Sequence, residues 1–150
     1  MTSTHRINAF LAQPAIAVVG VSRTAHKFGN AASRTLREKG YRVYPISRHA
    51  ATIDGIKCYP RLAALPEKVD AVLVVVSPRE ALDVMADAAD AGVHHVWLQQ
   101  GAESQEAAEL AASRGIELVM GECILMYAKP TGIHKMHRTV RNLLRGSAFL

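Results

Sequence analysis

The stretch from residue 16 to residue 49 restricts this chain to very few folds. Ile16-Ala-Val-Val-Gly20 is a short apolar run ending on a glycine, and Val21-Ser-Arg-Thr-Ala-His-Lys-Phe-Gly29 reads as the loop that follows. A helix is expected from about Asn30 to Lys39, stopped by Gly40, with a second strand over Tyr41–Ile46. Strand, helix and strand in so short a span make a β-α-β unit, since two parallel strands need a crossover long enough to hold a helix.

Beyond residue 69 the alternation becomes regular. Asp70-Ala-Val-Leu-Val-Val-Val76 is a continuous apolar run after its first residue, as expected of a strand buried on both faces. Ser77-Pro78 caps and opens a helix through about Ala91, with proline at its favoured first position and Gly92 as the stop. His95-Val-Trp-Leu-Gln99 reads as a strand, Ser104 to Arg114 as a helix ended by Gly115, and Ile116-Glu-Leu-Val-Met120 as the last core strand. Nearer the start, Thr4 to about Leu11 is expected to form a short helix, and a short third strand is expected near Ile56–Tyr59. This alternation predicts an α/β fold: a doubly wound, mainly parallel sheet of five to six strands with helices on both faces. At 150 residues the chain is read as one domain, 1–150, in which 128–150 is a basic C-terminal helical extension.

Crossovers of the usual right hand put the loops after Gly20, Ile46, Val76 and Gln99 together at the carboxyl edge of the sheet, where doubly wound folds bind ligands. The details of two loops narrow the ligand. After Gly20 the next glycine is Gly29, too far for the tight G-x-G-x-x-G turn. The second strand ends in Ser47-Arg48-His49, with no carboxylate to hold a ribose diol. A cation in that place suits a phosphorylated ribose, either the 2′-phosphate of NADP or the 3′-phosphate of coenzyme A.

Charge is segregated along the chain. Residues 1–66 hold ten Lys/Arg against Glu38 and Asp54, residues 67–122 hold three cations and eleven acids, and five cations with no acid follow Glu122. The phosphate loop thus lies in the positive part, which favours a polyanionic ligand at one edge. Nucleic acid fits less well, because aromatic residues are only 5% and no stacking pattern accompanies the basic segments. No apolar run approaches 18 residues, so no membrane span is expected. Cys58 and Cys123 stand alone, outside any C-x-x-C, and read as reduced thiols of a cytoplasmic protein.

The same residues carry a family resemblance. Val-Val-Gly20-Val-Ser22, Phe28-Gly29, Gly40-Tyr-x-Val-Tyr-Pro45, Asp54-Gly55 with Tyr59, Val69-Asp70-Ala-Val, Val96-Trp97-Leu-Gln99-x-Gly101-Ala and Glu122-Cys123-Ile occur in order over roughly residues 13–127. In this the chain resembles the stand-alone CoA-binding domain family, whose Rossmann-like fold also forms the CoA-binding domain of the succinyl-CoA synthetase α subunit. The resemblance implies that the ADP moiety of coenzyme A, or of an acyl-CoA, is bound by the loop after the first strand and by the ends of the second and fourth. Many relatives have Asn where this chain has Ser47. The phosphohistidine of the synthetases belongs to a separate domain, so the resemblance implies binding without a reaction.

Each candidate has a plain structural reading beside the functional one. Gly20, Val21 and Ser22 form the exit of a strand, yet with Arg23 and Lys27 they precede a helix N-terminus suited to a diphosphate. Phe28 fits core packing better than a lid, and Gly29 fits close backbone approach. Arg48 is either a solvated cation or a phosphate ligand, and Tyr59 either anchors its loop or meets the ligand. Ser77 is first a helix cap, with Glu80 three residues on, while Val76 and Pro78 beside it line the site. Gln99, Gln100 and Gly101 stand at the next strand end. His94 and His95 are adjacent and face opposite ways on a strand, so they do not share a metal. His134 and His137 lie on a basic amphipathic segment read as a docking helix or a surface for a protein partner. A mixed disulfide between Cys123 and the CoA thiol is chemically open. The competing functions are an NADP-dependent reductase and a nucleotide-sensing regulatory module, and a homo-oligomer is compatible with all three.

Overall fold

The computed structural model describes residues 4–21 and 27–128. Within them the chain runs through α1 (Thr4–Leu11), β1 (Ala15–Val19), α2 (Phe28–Glu38), β2 (Arg42–Ile46), β3 (Thr52–Ile53) and β4 (Ile56–Lys57). After a 3-10 turn at Leu62–Ala64 come β5 (Ala71–Val74), α3 (Pro78–Asp90), β6 (His95–Leu98), α4 (Gln105–Arg114), β7 (Glu117–Val119) and α5 (Leu125–Ala128). Five strands form one sheet in the order β2-β1-β5-β6-β7, all parallel. This is the expected Rossmann-like α/β fold.

Strand alternation sends side chains to two separate cores. Ile16, Val18, Leu73, Trp97 and Val119 face one side, where Ile7 and Phe10 of α1, Leu36 of α2 and Ile124 meet them. Ala17, Val72, Val74, Val96, Leu98 and Leu118 face the other, packed on Ala81, Met85 and Ala88 of α3 and Ala107 and Ala111 of α4. Alanine on these helices brings their backbones close to the sheet. Trp97 is fully buried, its ring set edge-on to Phe10 at 5.3 Å and to Tyr127 at 5.6 Å, and its Nε1–H donates to the carbonyl of Glu122 at 3.1 Å. Full burial of a side chain this large contributes on the order of 3 kcal/mol.

Two expectations are corrected. Helix α2 begins at Phe28 rather than Asn30, because the Lys27 carbonyl already accepts the N–H groups of Asn30 and Ala31. The expected third strand near Ile56–Tyr59 is half of a hairpin, Thr52–Ile53 against Ile56–Lys57, in a sheet of its own. Asp54 and Gly55 both adopt positive φ (54° and 75°), which is the two-residue turn that folds one short strand straight back on the other. Tyr59 lies past the hairpin and joins β2 through a single parallel bridge to Ile46. The basic extension lies, after Ala128, outside the described residues.

Two polar links hold the outer edge at β2. Arg34 of α2 pairs with Asp54 of the hairpin turn at 3.2 Å. Arg42 makes a two-pronged pair with Glu67 at 2.8 and 2.9 Å, and the Tyr44 hydroxyl also donates to that carboxylate. The guanidinium first, then the phenol, hold the Glu67 carboxyl down at about 2.

Candidate ligand site at the strand ends

The site begins where the strand order reverses. The chain leaves β1 for β2 on one side, while β5 flanks β1 on the other, so the crevice beyond β1 and β5 is the switch point of the sheet. Two glycines shape it. Gly20 leaves β1 at φ +119°, and a Cβ there would stand 2.1 Å from the Val75 carbonyl oxygen. Gly29, in the first turn of α2, would place a Cβ 2.5 Å from the Gly20 carbonyl oxygen. Backbone is therefore stacked on backbone from the exit of β5, through the loop after β1, to the start of α2. A side chain at Gly20 would push the exit of β1 off Val75, and one at Gly29 would force the helix away from the crevice.

The start of α2 differs from the starts of its neighbours. Ser77 and Ser104 cap α3 and α4, their hydroxyls accepting the N–H groups of Glu80 at 3.3 Å and Ala107 at 3.1 Å. Each of those helices also carries an acid in its first turn, Glu80 and Glu106. In α2 the cap position is Lys27, which makes no side-chain cap, and the first turn holds no acid. The positive end of this helix is thus unneutralised by its own cap or first turn, with an exposed ammonium beside it.

Over the end of β2 lies a second group. The Ser47 hydroxyl accepts the N–H groups of His49 and Ala50, both at 3.2 Å, and so folds the loop that presents the exposed Arg48. Ser47 N–H donates to the Tyr59 carbonyl at 2.9 Å. The Tyr59 ring meets Tyr44 edge-on at 5.8 Å and lies 5.2 Å from the Lys57 ammonium.

Gly20, Val21, Lys27, Phe28, Gly29, Val76, Ser77 and Pro78 accordingly surround the switch point, and Ser47, Arg48 and Tyr59 gather beside it. Phe28 and Val21 are half-buried against the core beneath α1 and α2, while Val76 packs on the opposite core. The Ser77 hydroxyl also donates to the Glu80 carboxylate at 3.1 Å, so both its roles are local. Gln100 and Gly101 stand apart at the β6 end: Gln100 donates to the Gly121 carbonyl at 3.4 Å, and Gly101 N–H donates to Glu103 at 2.7 Å. Gln99 is buried and accepts the Ile124 N–H at 3.0 Å, pinning the loop after β7. Ser22, Arg23, His134 and His137 lie outside the described residues.

Two neighbours of the site escaped the reading by motif. Val75 supplies the carbonyl against which Gly20 rests, and no local pattern marks it. Lys57 stands over Tyr59, two residues away on the same side of an extended segment, a spacing that was legible. Among the described residues, no group of three or more His, Cys, Asp or Glu is placed to hold a metal ion. His94 instead donates its backbone N–H to Asp70 at 2.7 Å, with its ring Nδ1 3.1 Å from the same oxygen. Burial pushes the Cys58 thiol up, away from reactivity, and Cys123 is half-buried in the loop after β7.

The chain is similar to known proteins in sequence and in fold. A family model described as CoA binding domain matches residues 14–129. The ADP-forming acetate–CoA ligase II of Archaeoglobus fulgidus is 31% identical over 93 residues, covering 61% of this chain and 14% of the ligase. The α subunit of the ADP-forming acetate–CoA ligase II of Pyrococcus furiosus is 26% identical over 120 residues, covering 73% of this chain and 26% of the subunit. This chain therefore spans about a quarter or less of the length of those two relatives. Among solved structures, a conserved hypothetical protein of Pyrococcus furiosus aligns with TM-score 0.70 at 38% identity, covering 74% of this chain and 96% of that one.

Proposed function

Since this chain belongs to the CoA binding domain family, we propose that it binds coenzyme A or an acyl-CoA at the switch point, and that binding is its role without a reaction of its own. The diphosphate is received by the N-terminus of α2, with Lys27 and, from the sequence, Arg23 neutralising it. Arg48 and Ser47 attend the phosphorylated ribose, with Tyr59 alongside. Val76 and Pro78 flank the neutral pantetheine arm. The observation that carries the reading is α2 itself, which is seated in the crevice by Gly20 and Gly29 and, unlike α3 and α4, lacks both a side-chain cap and a first-turn acid. A cation at the end of β2 equally suits the 2′-phosphate of NADP, and that is the second reading. The reading is of a cytoplasmic protein whose two cysteines are kept reduced.

Titration calorimetry with coenzyme A, dephospho-CoA, NADPH and NADH separates these readings. Coenzyme A is expected to bind most tightly, and Arg48→Ala to weaken it about 10- to 100-fold, the worth of a charge-assisted bond, while sparing dephospho-CoA. Binding of NADPH alone would overturn the assignment. Equal losses for both CoA forms would remove Arg48 from the phosphate.

A further inference from the structure

The carboxyl edge of the sheet is electrically polar from one end to the other. Beyond β1 and β2 stand Lys27, Arg48 and Lys57, with His49, and the acid there, Asp54, is paired with Arg34. Beyond β5, β6 and β7 the sign reverses. Among the described residues, the loops and first helical turns at those three ends hold Glu80, Glu103, Glu106 and Glu122 against the single cation Arg79. Three of these carboxylates are held in place. Glu80 accepts from the Ser77 hydroxyl at 3.1 Å, Glu103 from the Gly101 N–H at 2.7 Å, and Glu122 from the Tyr127 hydroxyl at 2.8 Å.

From this polarity we infer that the site selects acyl-CoA thioesters with an uncharged acyl group and disfavours those whose acyl group ends in a carboxylate. The inference rests on the CoA reading above. All the ionised phosphates of coenzyme A belong to its nucleotide end, which the cations draw over β1 and β2, whereas the pantetheine arm is neutral. The arm then runs across β5 toward β6 and β7, three strand spacings or about 14 Å from β1. It passes Val76 and Pro78 and brings the thioester among Glu103, Glu122 and the uncharged Gln100. A methyl group at the acyl terminus meets no charge there. A carboxylate in the same place is repelled by two fixed like charges, while the described cation on β7, Arg6 of α1, is turned to the Leu118 carbonyl at 3.4 Å.

Butyryl-CoA and succinyl-CoA test this directly, since they have the same chain length and differ in a terminal methyl against a carboxylate. In calorimetric titrations of the full chain, butyryl-CoA is expected to bind about 3- to 10-fold more tightly than succinyl-CoA at low ionic strength, with the gap closing as salt is added. Glu103→Gln with Glu122→Gln keeps both hydrogen-bond acceptors and should close the gap at low salt as well. If coenzyme A binds and the two thioesters bind equally, or succinyl-CoA binds more tightly, the selectivity is refuted while the CoA site stands. If coenzyme A itself fails to bind at millimolar concentration, both readings fall.

Discussion

Replacing Gly29 by alanine tests whether α2 is seated as described. The new methyl would stand 2.5 Å from the Gly20 carbonyl oxygen, 2.9 Å from its carbon and 3.2 Å from the Val21 nitrogen. All three obstacles are backbone, so no side chain can rotate out of the way. Relief requires the first turn of α2 to lift by about 1 Å, the shortfall from an ordinary contact. Overpacking of this kind costs about 1–3 kcal/mol, and rigid backbone favours the upper end. Alanine returns up to about 1 kcal/mol through its better helix propensity. The net loss is about 2 kcal/mol, which for a chain of this size lowers the melting temperature by roughly 8 °C. A 1 Å lift also takes first-turn amides out of hydrogen-bond reach of a bound phosphate, so CoA affinity should fall about tenfold. Circular dichroism melting and calorimetry measure the two effects. A variant melting within a degree of the parent, with CoA affinity unchanged, would refute the backbone stack on which the site depends.

Other substitutions address single links. Gln99→Leu leaves the buried Ile124 N–H without its acceptor and should cost about 1–3 kcal/mol by denaturant unfolding. Ser77→Ala should lose about 1 kcal/mol of stability through its cap, and Ser77→Asp should keep it. The Glu67 carboxyl is depressed to about 2 in the folded chain, so its contribution is complete above the ordinary carboxyl value of 4.5 and is lost as pH falls from there through 2. Acid unfolding of Glu67→Gln should accordingly show a shallower loss of stability over that window, and a profile parallel to the parent would sever the Arg42–Glu67–Tyr44 link.

Most of the fold was legible because its signals are local. The apolar run at 71–76, proline after Ser77, and the glycines at 40, 92 and 115 mark strands and helix ends within a few residues of themselves, and boundaries shifted by only one or two positions. The hairpin was harder. Asp54-Gly55 announced a turn, but Thr52–Ile53 is too short a strand to show a period, and a bridge such as Ile46 to Tyr59 has no pattern of its own. The capping serine before Pro78 was equally plain, but the lysine at the cap of α2 was not, because that helix was expected to start at Asn30 and begins at Phe28. What the loop after β1 rests on was not readable, because Val75 is simply one more valine in an apolar run.

The order of residues alone determined the alternation of strands and helices, the two apolar faces of the central strands, and the passage from a basic first half to acidic later helices. Those properties depend on side-chain period and on charge, which neighbours in sequence already express. Only the tertiary structure decided that Gly20 must be bare because Val75 lies against it, that Gln99 completes the Ile124 amide, and that cations and carboxylates fall at opposite ends of one edge. Each of these joins segments far apart in the chain, and their contacts exist only once the strands take their places side by side.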